Sequence, residues 1–375
     1  MKKKIVGIVG WRGMVGSVLI SRMIQENDFN YFKSIFFSTS QFGTDAPLVK
    51  NLYLNKLQNA YDIDSLMDLD IIITCQGSNY TNFIYPQLIK KKWNGYWIDA
   101  ASLLRTNEDS VIVLDPVNKN VIDMSLEKGL KTFIGGNCTV SLMLMALGGL
   151  FKEKLIEWIS VSTYQAASGA GSKHMLELLS QMGYLYDSVR NKLKNKNCSI
   201  LDIERLIANS SNEENFPKNN FKVPLASNLI PWIDIELRKK GQSKEEWKGQ
   251  FETNKILGIN KNRIIKIDGI CVRIGSFRCH SQFFTIKLNK NIFLSDIENI
   301  LSNHNSWVKI ISNNRDETIK KLTPCSVTGS LDIPIGRIRK MNIGSKYLSA
   351  FSVGDQLLWG AAEPLRRILR IILLS

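Results

Sequence analysis

Metal ligands are scarce in this chain. It has three histidines in 375 residues. It shows no H-E-x-x-H and no Cys/His spacing of the kind that closes a zinc site, so no metal centre is expected. The six cysteines, at 75, 138, 198, 271, 279 and 325, form no C-x-x-C and no paired framework. In a chain this long they read as reduced thiols of a cytoplasmic protein. No apolar run approaches the ~20 residues that a membrane helix needs. The opening Met1-Lys2-Lys3-Lys4 imitates a signal peptide, but the apolar run behind it, Ile5 to Val9, is broken by Gly7 and ended by Gly10-Trp11-Arg12, which excludes one. There is no internal repeat. Acidic residues are the other shortage: 34 Asp and Glu stand against 49 Lys and Arg, a net charge of +15. Such a balance raises nucleic-acid binding. The lysines are scattered, however, as in Asn191-Lys192-Leu193-Lys194-Asn195-Lys196, and no helix-turn-helix, zinc-finger or base-stacking pattern accompanies them. Phosphorylated small molecules are the better use of this charge. Neither a nucleic acid nor a membrane is expected as partner.

What the chain does have is strand–helix alternation, over a length that suits two domains and a sizeable core. Lys3 to Val9 is a β-branched, buried-strand pattern. Gly10-Trp11-Arg12-Gly13-Met14-Val15-Gly16 follows, and Ser17 to Gln25 reads as a helix. Strand, glycine turn and helix form the first unit of a dinucleotide-binding fold, here spaced G-x-x-G-x-x-G. The next strand, Ser34 to Phe37, ends in Ser38-Thr39-Ser40, where an NAD-binding domain usually carries an acidic residue for the ribose 2′-hydroxyl. Hydroxyls at Thr39 and Ser40, with the Arg12 guanidinium, suit a 2′-phosphate, so NADP is predicted over NAD; the other reading is a loop with no preference. Further strands are predicted at Leu69 to Thr74, which runs into a loop carrying Gln76, at Trp97 to Ser102, followed by Arg105, at Val111 to Leu114 and at Thr132 to Ile134. This alternation predicts one doubly wound domain over 1–136.

The chain then reaches Gly135-Gly136-Asn137-Cys138-Thr139 and a helix-forming run, Leu142 to Leu150. Glycines can adopt backbone angles closed to other residues, and Asn137 or Thr139 can cap the helix. A cysteine at a helix start meets unsatisfied N–H groups that favour a thiolate, which makes Cys138 a candidate nucleophile; the alternative is a buried cysteine packing as a small hydrophobe. Trp158 to Tyr164 is an alternating strand ending in Gln165-Ala166-Ala167-Ser168-Gly169-Ala170-Gly171-Ser172, before a helix from His174 to Met182. That second glycine-rich turn is another candidate contact for phosphate or cofactor. Residues 190–222 are polar and asparagine-rich and read as a lid or an arm between subunits. Ser243 and Glu246 have capping-box spacing. In one unbroken strand from Gly269 to Leu288, Arg273 and His280 would face opposite ways, so a break is predicted at Gly275-Ser276. Leu357 to Leu373 reads as an apolar helix with Arg366, Arg367 and Arg370 on its polar side, able to pack back on the first domain.

The ordered set Gly10–Gly16, Gly135–Thr139, Gln165–Gly169, Arg278-Cys279-His280 and Gly354-Asp355-Gln356-Leu357-Leu358-Trp359-Gly360 resembles the aspartate-β-semialdehyde dehydrogenase family of Gram-negative type, over nearly the whole chain. The stretch near 190–220 is the loosest, and no role carries over to Lys196 or Cys198. The resemblance implies an α/β architecture: an N-terminal Rossmann-like dinucleotide-binding domain (1–136 with 357–375) and an α+β catalytic and dimerisation domain with a mixed sheet (137–356). It implies a homodimer that interconverts L-4-aspartyl phosphate and NADPH with L-aspartate 4-semialdehyde, phosphate and NADP⁺, supplying lysine, threonine and methionine synthesis. Cys138 would form the thioester, His280 would act as acid/base and Gln165 would orient the substrate. Arg273 would hold the α-carboxylate, Glu245 the ammonium, and Lys248 and Arg105 the phosphate. Cofactor contacts would come from Gly10, Arg12, Gly13, Met14, Val15, Thr39, Ser40 and Gln76, and from Ser168, Gly169, Gly171 and Gln356. Blander readings make His280 a satisfied core histidine and Glu245–Lys248 a surface i,i+3 ion pair. Rival functions are an N-acetyl-γ-glutamyl-phosphate reductase, a phosphorylating dehydrogenase of the glyceraldehyde-phosphate type, and a non-catalytic NADP-binding redox regulator.

Overall fold

The computed structural model describes residues 3–195, 197–237 and 241–374; Lys196 lies outside them. The first sheet comprises β1 (Ile5–Val9), β2 (Lys33–Ser38), β3 (Gln58–Asn59), β4 (Ile71–Thr74), β5 (Tyr96–Asp99), β6 (Ser110–Val113) and β7 (Thr132–Gly135). All pairings are parallel, in the order β3-β2-β1-β4-β5-β7-β6. Both faces are covered, which is why its strands read as continuous apolar runs. Ile71, Ile73, Ile98 and Phe133 meet α1 (Met14–Gln25) on one side; Ile72, Trp97 and Ile134 meet α2 (Ile63–Met67) and α3 (Ser78–Lys90) on the other. After α4 (Asp115–Glu127) and β7 comes α5 (Cys138–Lys152), almost wholly buried.

The second sheet comprises β8 (Ile156–Gln165), β9 (Leu229–Ile230), β12 (Lys266–Ile274), β13 (Cys279–Leu288), β14 (Val308–Ile310), β15 (Ile333–Met341) and β16 (Gly344–Asp355), and β10 (Glu236–Leu237) pairs separately with β11 (Gln242–Ser243). Its order is β14-β15-β16-β13-β8-β12-β9, with parallel and antiparallel neighbours mixed. Ile159, Phe284, Ile286, Leu348 and Ala350 pack on one face with residues of α5, α8 (Lys244–Ile256) and α9 (Leu294–Ser302). The opposite face carries half-buried Trp158, Tyr164, Phe283, Tyr347 and Phe351. Ser243 and Glu246 close the capping box of α8 from both sides.

Several elements depart from expectation. The predicted break at Gly275-Ser276 separates two strands that lie on either side of β8, β12 parallel to it and β13 antiparallel. About half of the polar stretch is helical: α6, from Ser172 to Leu193, ends inside it and α7 runs from Ile200 to Asn212. Leu178 and Leu185 of α6 make a small core of their own with Phe216, Leu225 and Ala226, against which Ile207 packs. Past the short helices α10 (Arg315–Lys321) and α11 (Pro324–Val327), the final helix opens with a π turn, Leu358–Ala362, before α12 (Glu363–Leu374). Leu365, Ile368, Leu369 and Ile372 of α12 join the core of the first sheet. Its arginine side does not simply face water: Arg366 is buried against Asp28 at 3.0 Å and Glu363 at 2.8 Å, and Arg367 meets Asp115 at 2.6 Å. Among the described residues no helix is long and apolar enough to cross a membrane, and no cluster could hold a metal ion. All six cysteines are free.

Candidate active site

β7 delivers the chain to Gly135-Gly136-Asn137, and α5 begins at Cys138, the helix start expected for it. The two glycines are not in the left-handed region. They serve space instead: a Cβ on Gly136 would stand 2.9 Å from Ser141 Oγ, and one on Gly135 3.2 Å from Leu365 Cδ2. Asn137 is the cap. Its Oδ1 accepts from the N–H of Thr139 at 2.9 Å and of Val140 at 3.2 Å, and the Thr139 hydroxyl only adds a third donor.

The sheet brings the partners. Arg273 on β12 is in register with Gln165, the last residue of β8, and Ser281 on β13 is in register with Tyr164, which sets His280 beside Gln165 from the other side. All three lie on the face that α5 covers. His280 Nε2 is 3.3 Å from Cys138 Sγ. Its Nδ1 accepts the Ala166 N–H at 3.0 Å, so the neutral ring carries its proton on Nε2, toward the sulfur. Burial, then Arg273, hold the imidazole well below its ordinary value. Gly169 keeps this corner open: a Cβ there would stand 2.9 Å from Arg273 Nη1 and 3.2 Å from His280 Cε1.

The thiol departs from the simple helix-start expectation. Burial, then the Glu245 carboxylate, push Cys138 up to about 12, against the pull of Arg273, Arg105 and Lys248. The resting group is therefore a thiol. Glu245 is itself buried; its Oε1 accepts from Asn137 Nδ2 at 2.9 Å and Gln165 Nε2 at 3.2 Å, and its Oε2 from Lys248 Nζ at 2.8 Å. Burial pushes the Glu245 carboxyl up, but Lys248 and those hydrogen bonds outweigh it and hold it below its usual range. Lys248 also reaches Asp234 at 2.9 Å, so Glu245–Lys248 is no surface pair. Arg273 donates to the Ala166 carbonyl at 2.6 Å, and its other N–H groups have no partner among the described residues. Arg105 donates to Gly135 O at 2.8 Å, Gly136 O at 3.0 Å and Glu252 at 3.0 Å.

Cys138, Gln165, Arg105, Glu245, Lys248 and Arg273 all line one cavity of about 490 Å³. Met14, Val15, Ser168, Gly169 and Gln356 complete it from the cofactor set, with Gln356 Nε2 donating to Ser168 Oγ at 2.8 Å. A second cavity, of about 500 Å³, is lined by Gly10, Arg12, Gly13, Thr39, Ser40 and Gln76. The two flank the start of α1, where Gly13 lines one and Met14 the other. Gly171 lies in neither wall; it precedes α6 at φ +109°. The lining of the second cavity, glycines with hydroxyls and a guanidinium, suits the phosphate-bearing part of a nucleotide. Gly10 has φ +74°, and a Cβ on it would sit 2.5 Å from the Gln76 nitrogen. Arg12, hydrogen-bonded to Ser38 Oγ at 3.3 Å and to Gln41, places a cation beside the end of β2.

Sequence reasoning missed five contributors. Glu252 stands seven residues after Glu245, on the same side of α8, so helical spacing offered a signal. Asp234 lies outside regular structure and offered none. Asn137 does more than cap, since its amide also holds Glu245. Ser38 was passed over for its neighbours. Gly360 makes room for the nucleophile: a Cβ there would meet Cys138 Cβ at 2.8 Å.

A family model described as "Semialdehyde dehydrogenase, NAD binding domain" matches residues 5–125, and one described as "Semialdehyde dehydrogenase, dimerisation domain" matches residues 147–359. Among solved structures, an aspartate semialdehyde dehydrogenase from Francisella tularensis is 48% identical, with 98% of this chain and 99% of that chain covered and a TM-score of 0.93. Aspartate semialdehyde dehydrogenase II from Vibrio cholerae, complexed with ASA, is 22% identical, with 100% and 99% covered and a TM-score of 0.81. The Candida albicans enzyme with NADP is 15% identical, with 99% and 98% covered and a TM-score of 0.65. At such identities the last two share the fold.

Proposed function

The chain belongs to the aspartate-semialdehyde dehydrogenase family of oxidoreductases, and from that premise we propose that it reduces L-4-aspartyl phosphate to L-aspartate 4-semialdehyde, with NADPH as reductant, through a thioester on Cys138. The observation that carries this reading is the Cys138 Sγ–His280 Nε2 contact of 3.3 Å, in a cavity that also offers the largely unpartnered guanidinium of Arg273 and the buried carboxylate of Glu245. Arg273 has the fork for an α-carboxylate, and Glu245 pairs with the α-ammonium. That ammonium cancels the charge that pushes the thiol up, while Arg273, Arg105 and Lys248 still favour the thiolate. The thiolate attacks the acyl carbon, the acyl–oxygen bond to phosphate breaks, and phosphate departs toward Arg105 and Lys248 carrying the proton that the thiol gave up. A guanidinium has five N–H donors, of which Arg105 has spent three; one on each terminal nitrogen remains for phosphate. Gln165 orients the acyl group. His280, with its proton on Nε2, donates a hydrogen bond to the acyl oxygen as charge builds there. NADPH, when bound, supplies the hydride. The test is NADP⁺ reduction with aspartate semialdehyde, which is expected to require inorganic phosphate; reduction indifferent to phosphate, or absent, overturns the reading.

The same reading places the nucleotide over both cavities and the 2′-phosphate at Arg12, Ser38, Thr39 and Ser40. A charge-assisted contact contributes about 1.5–3 kcal/mol, so kcat/KM for NADP is expected to exceed that for NAD by at least about tenfold, and Arg12→Ala to close most of that gap. Equal values in the unmutated protein would contradict the assignment.

Three further assignments belong to this proposal. The division falls between 136 and 137, with 357–375 returning to the nucleotide-binding domain. The protein works in the cytoplasm, in the synthesis of lysine, threonine and methionine, and its six free thiols suit that compartment. It is a homodimer through the aromatic outer face of the second sheet and the α6–α7 arm, whose Leu176, Leu179, Tyr186, Ile200 and Leu201 are exposed; such a face is costly to leave in water. Light scattering should give twice the 42.5 kDa of one chain; a monomer at micromolar concentration would refute it.

A further inference from the structure

Glu252 is the least explained charge near the nucleophile. It is 2% exposed and sits on α8 one turn beyond Lys248. Its Oε1 meets Arg105 Nη1 at 3.0 Å and its Oε2 accepts the Asn137 N–H at 2.6 Å. Arg105 in turn donates to the carbonyls of Gly135 and Gly136, so three consecutive residues before Cys138 hang on this one ion pair. Three residues further along α8, Lys255 Nζ holds the Arg105 carbonyl at 2.7 Å. Helix α8 thus grips Arg105 by main chain and side chain alike. A buried carboxylate that has both oxygens occupied by donors is a rigid fixture, because withdrawing either partner leaves a charge or an N–H unsatisfied.

We propose that Glu252 is a positioning residue: through its bridge between Arg105 and the Asn137 N–H, it sets the guanidinium that receives the phosphate and the turn that presents Cys138. This rests on the phosphate role proposed for Arg105. The two terminal N–H groups that Arg105 keeps for phosphate point where its other three bonds force them, and Glu252 makes the one of those bonds that a side chain controls. Glu252 does not itself line the cavity; it acts through Arg105 and Asn137, which do, and of these Arg105 carries the phosphate, so removal of Glu252 should act on phosphate handling first.

The experiment is steady-state kinetics in the semialdehyde-oxidising direction on Glu252→Gln, an isostere that can accept from only one of the two donors, with phosphate and aspartate semialdehyde varied separately. The expected result is a phosphate KM raised at least about tenfold, with the semialdehyde KM changed less than about twofold. Arsenate, in place of phosphate, should show the same split. Combining the change with Arg105→Lys should raise the phosphate KM no further than Arg105→Lys does alone, since both act through one guanidinium. Glu252→Asp, which keeps the charge but withdraws it by one methylene, should move the phosphate KM in the same sense and serves if the glutamine variant does not fold. A phosphate KM that falls would mean that Glu252 acts merely by repelling the anion, and equal changes in both KM values, or a lowered melting temperature with both KM values intact, would make it a structural group only; each overturns the proposal. Absence of phosphate-dependent NADP⁺ reduction in the unmutated protein would instead remove the reaction assignment itself.

Discussion

Replacing Cys138 by serine is expected to lower kcat by at least about 10⁴-fold, the scale on which loss of a covalent nucleophile is felt. A serine hydroxyl needs a base, and the neutral imidazole in contact with position 138 cannot serve as one. His280 Nδ1 is occupied by the Ala166 N–H, and its Nε2 already carries the proton that faces position 138. The thiol needs less help, since charge arrangement alone moves it toward the thiolate once Glu245 is neutralised. The substitution is nearly isosteric at a half-buried position, so the fold should lose less than about 1 kcal/mol, and NADPH binding, measured by fluorescence titration, should stay within twofold. Mass spectrometry of the unmutated protein after substrate addition should find the acyl adduct on Cys138. Cys271 and Cys279 are also pushed up to about 12 by burial, yet neither lines the 490 Å³ cavity. An adduct confined to either of them would move the active site elsewhere.

Local chemistry was legible in the sequence and long-range pairing was not. Ile71-Ile72-Ile73 reads as a buried strand because helices cover both faces of its sheet, and Asn137-Cys138 reads as a cap and first helical residue because a side-chain acceptor must serve orphan N–H groups there. Gly275-Ser276 announced a break, but nothing local says that the chain resumes on the far side of β8, since the identity of a strand's neighbour is decided by residues a hundred positions away. The asparagines and lysines of 190–222 hid α7, in which only Ile203 and Ser210 are buried and Ile207 packs on a core supplied by Leu178 and Leu185 of the preceding helix. Arg366 looked like a solvated face because its partner Asp28 lies 338 residues away. The same limit governs the site. That Cys138 is a candidate nucleophile follows from its turn; that its thiol is pushed up follows first from burial and then from Glu245, on a helix more than a hundred residues later, and no reading of the turn alone contains either.

Glu245 therefore carries the second large effect, a discrimination between the free amine and its N-acetylated counterpart of at least about a hundredfold in kcat/KM, roughly 2.7 kcal/mol of transition-state binding. An α-ammonium can take its place beside Asn137, Gln165 and Lys248 around this buried carboxylate. A neutral amide cannot pair with it and adds bulk, and losing one partner of a buried ion pair costs about 3–5 kcal/mol, less where water remains. In the proposed role Arg273 would bind the carboxylate of either compound, so the discrimination must come from the amino end. The electrostatics add a second consequence with a definite sign. Glu245 raises the Cys138 thiol, so Glu245→Gln should lower it and shift the pH profile of iodoacetamide alkylation to lower pH, speeding modification at pH 8 in the free enzyme. The same substitution should lower kcat/KM for aspartate semialdehyde while narrowing the gap to the N-acetylated compound. The measurements are kcat/KM for both compounds and alkylation rates against pH, each with both proteins. If the unmutated protein handles the N-acetylated compound as well as the free amine, Glu245 is not the ammonium site and an N-acetyl-γ-glutamyl-phosphate substrate becomes the better assignment. If only the alkylation profile fails to move, Glu245 binds substrate without governing the nucleophile, and the thiolate must be favoured by Arg273, Arg105 and Lys248 alone.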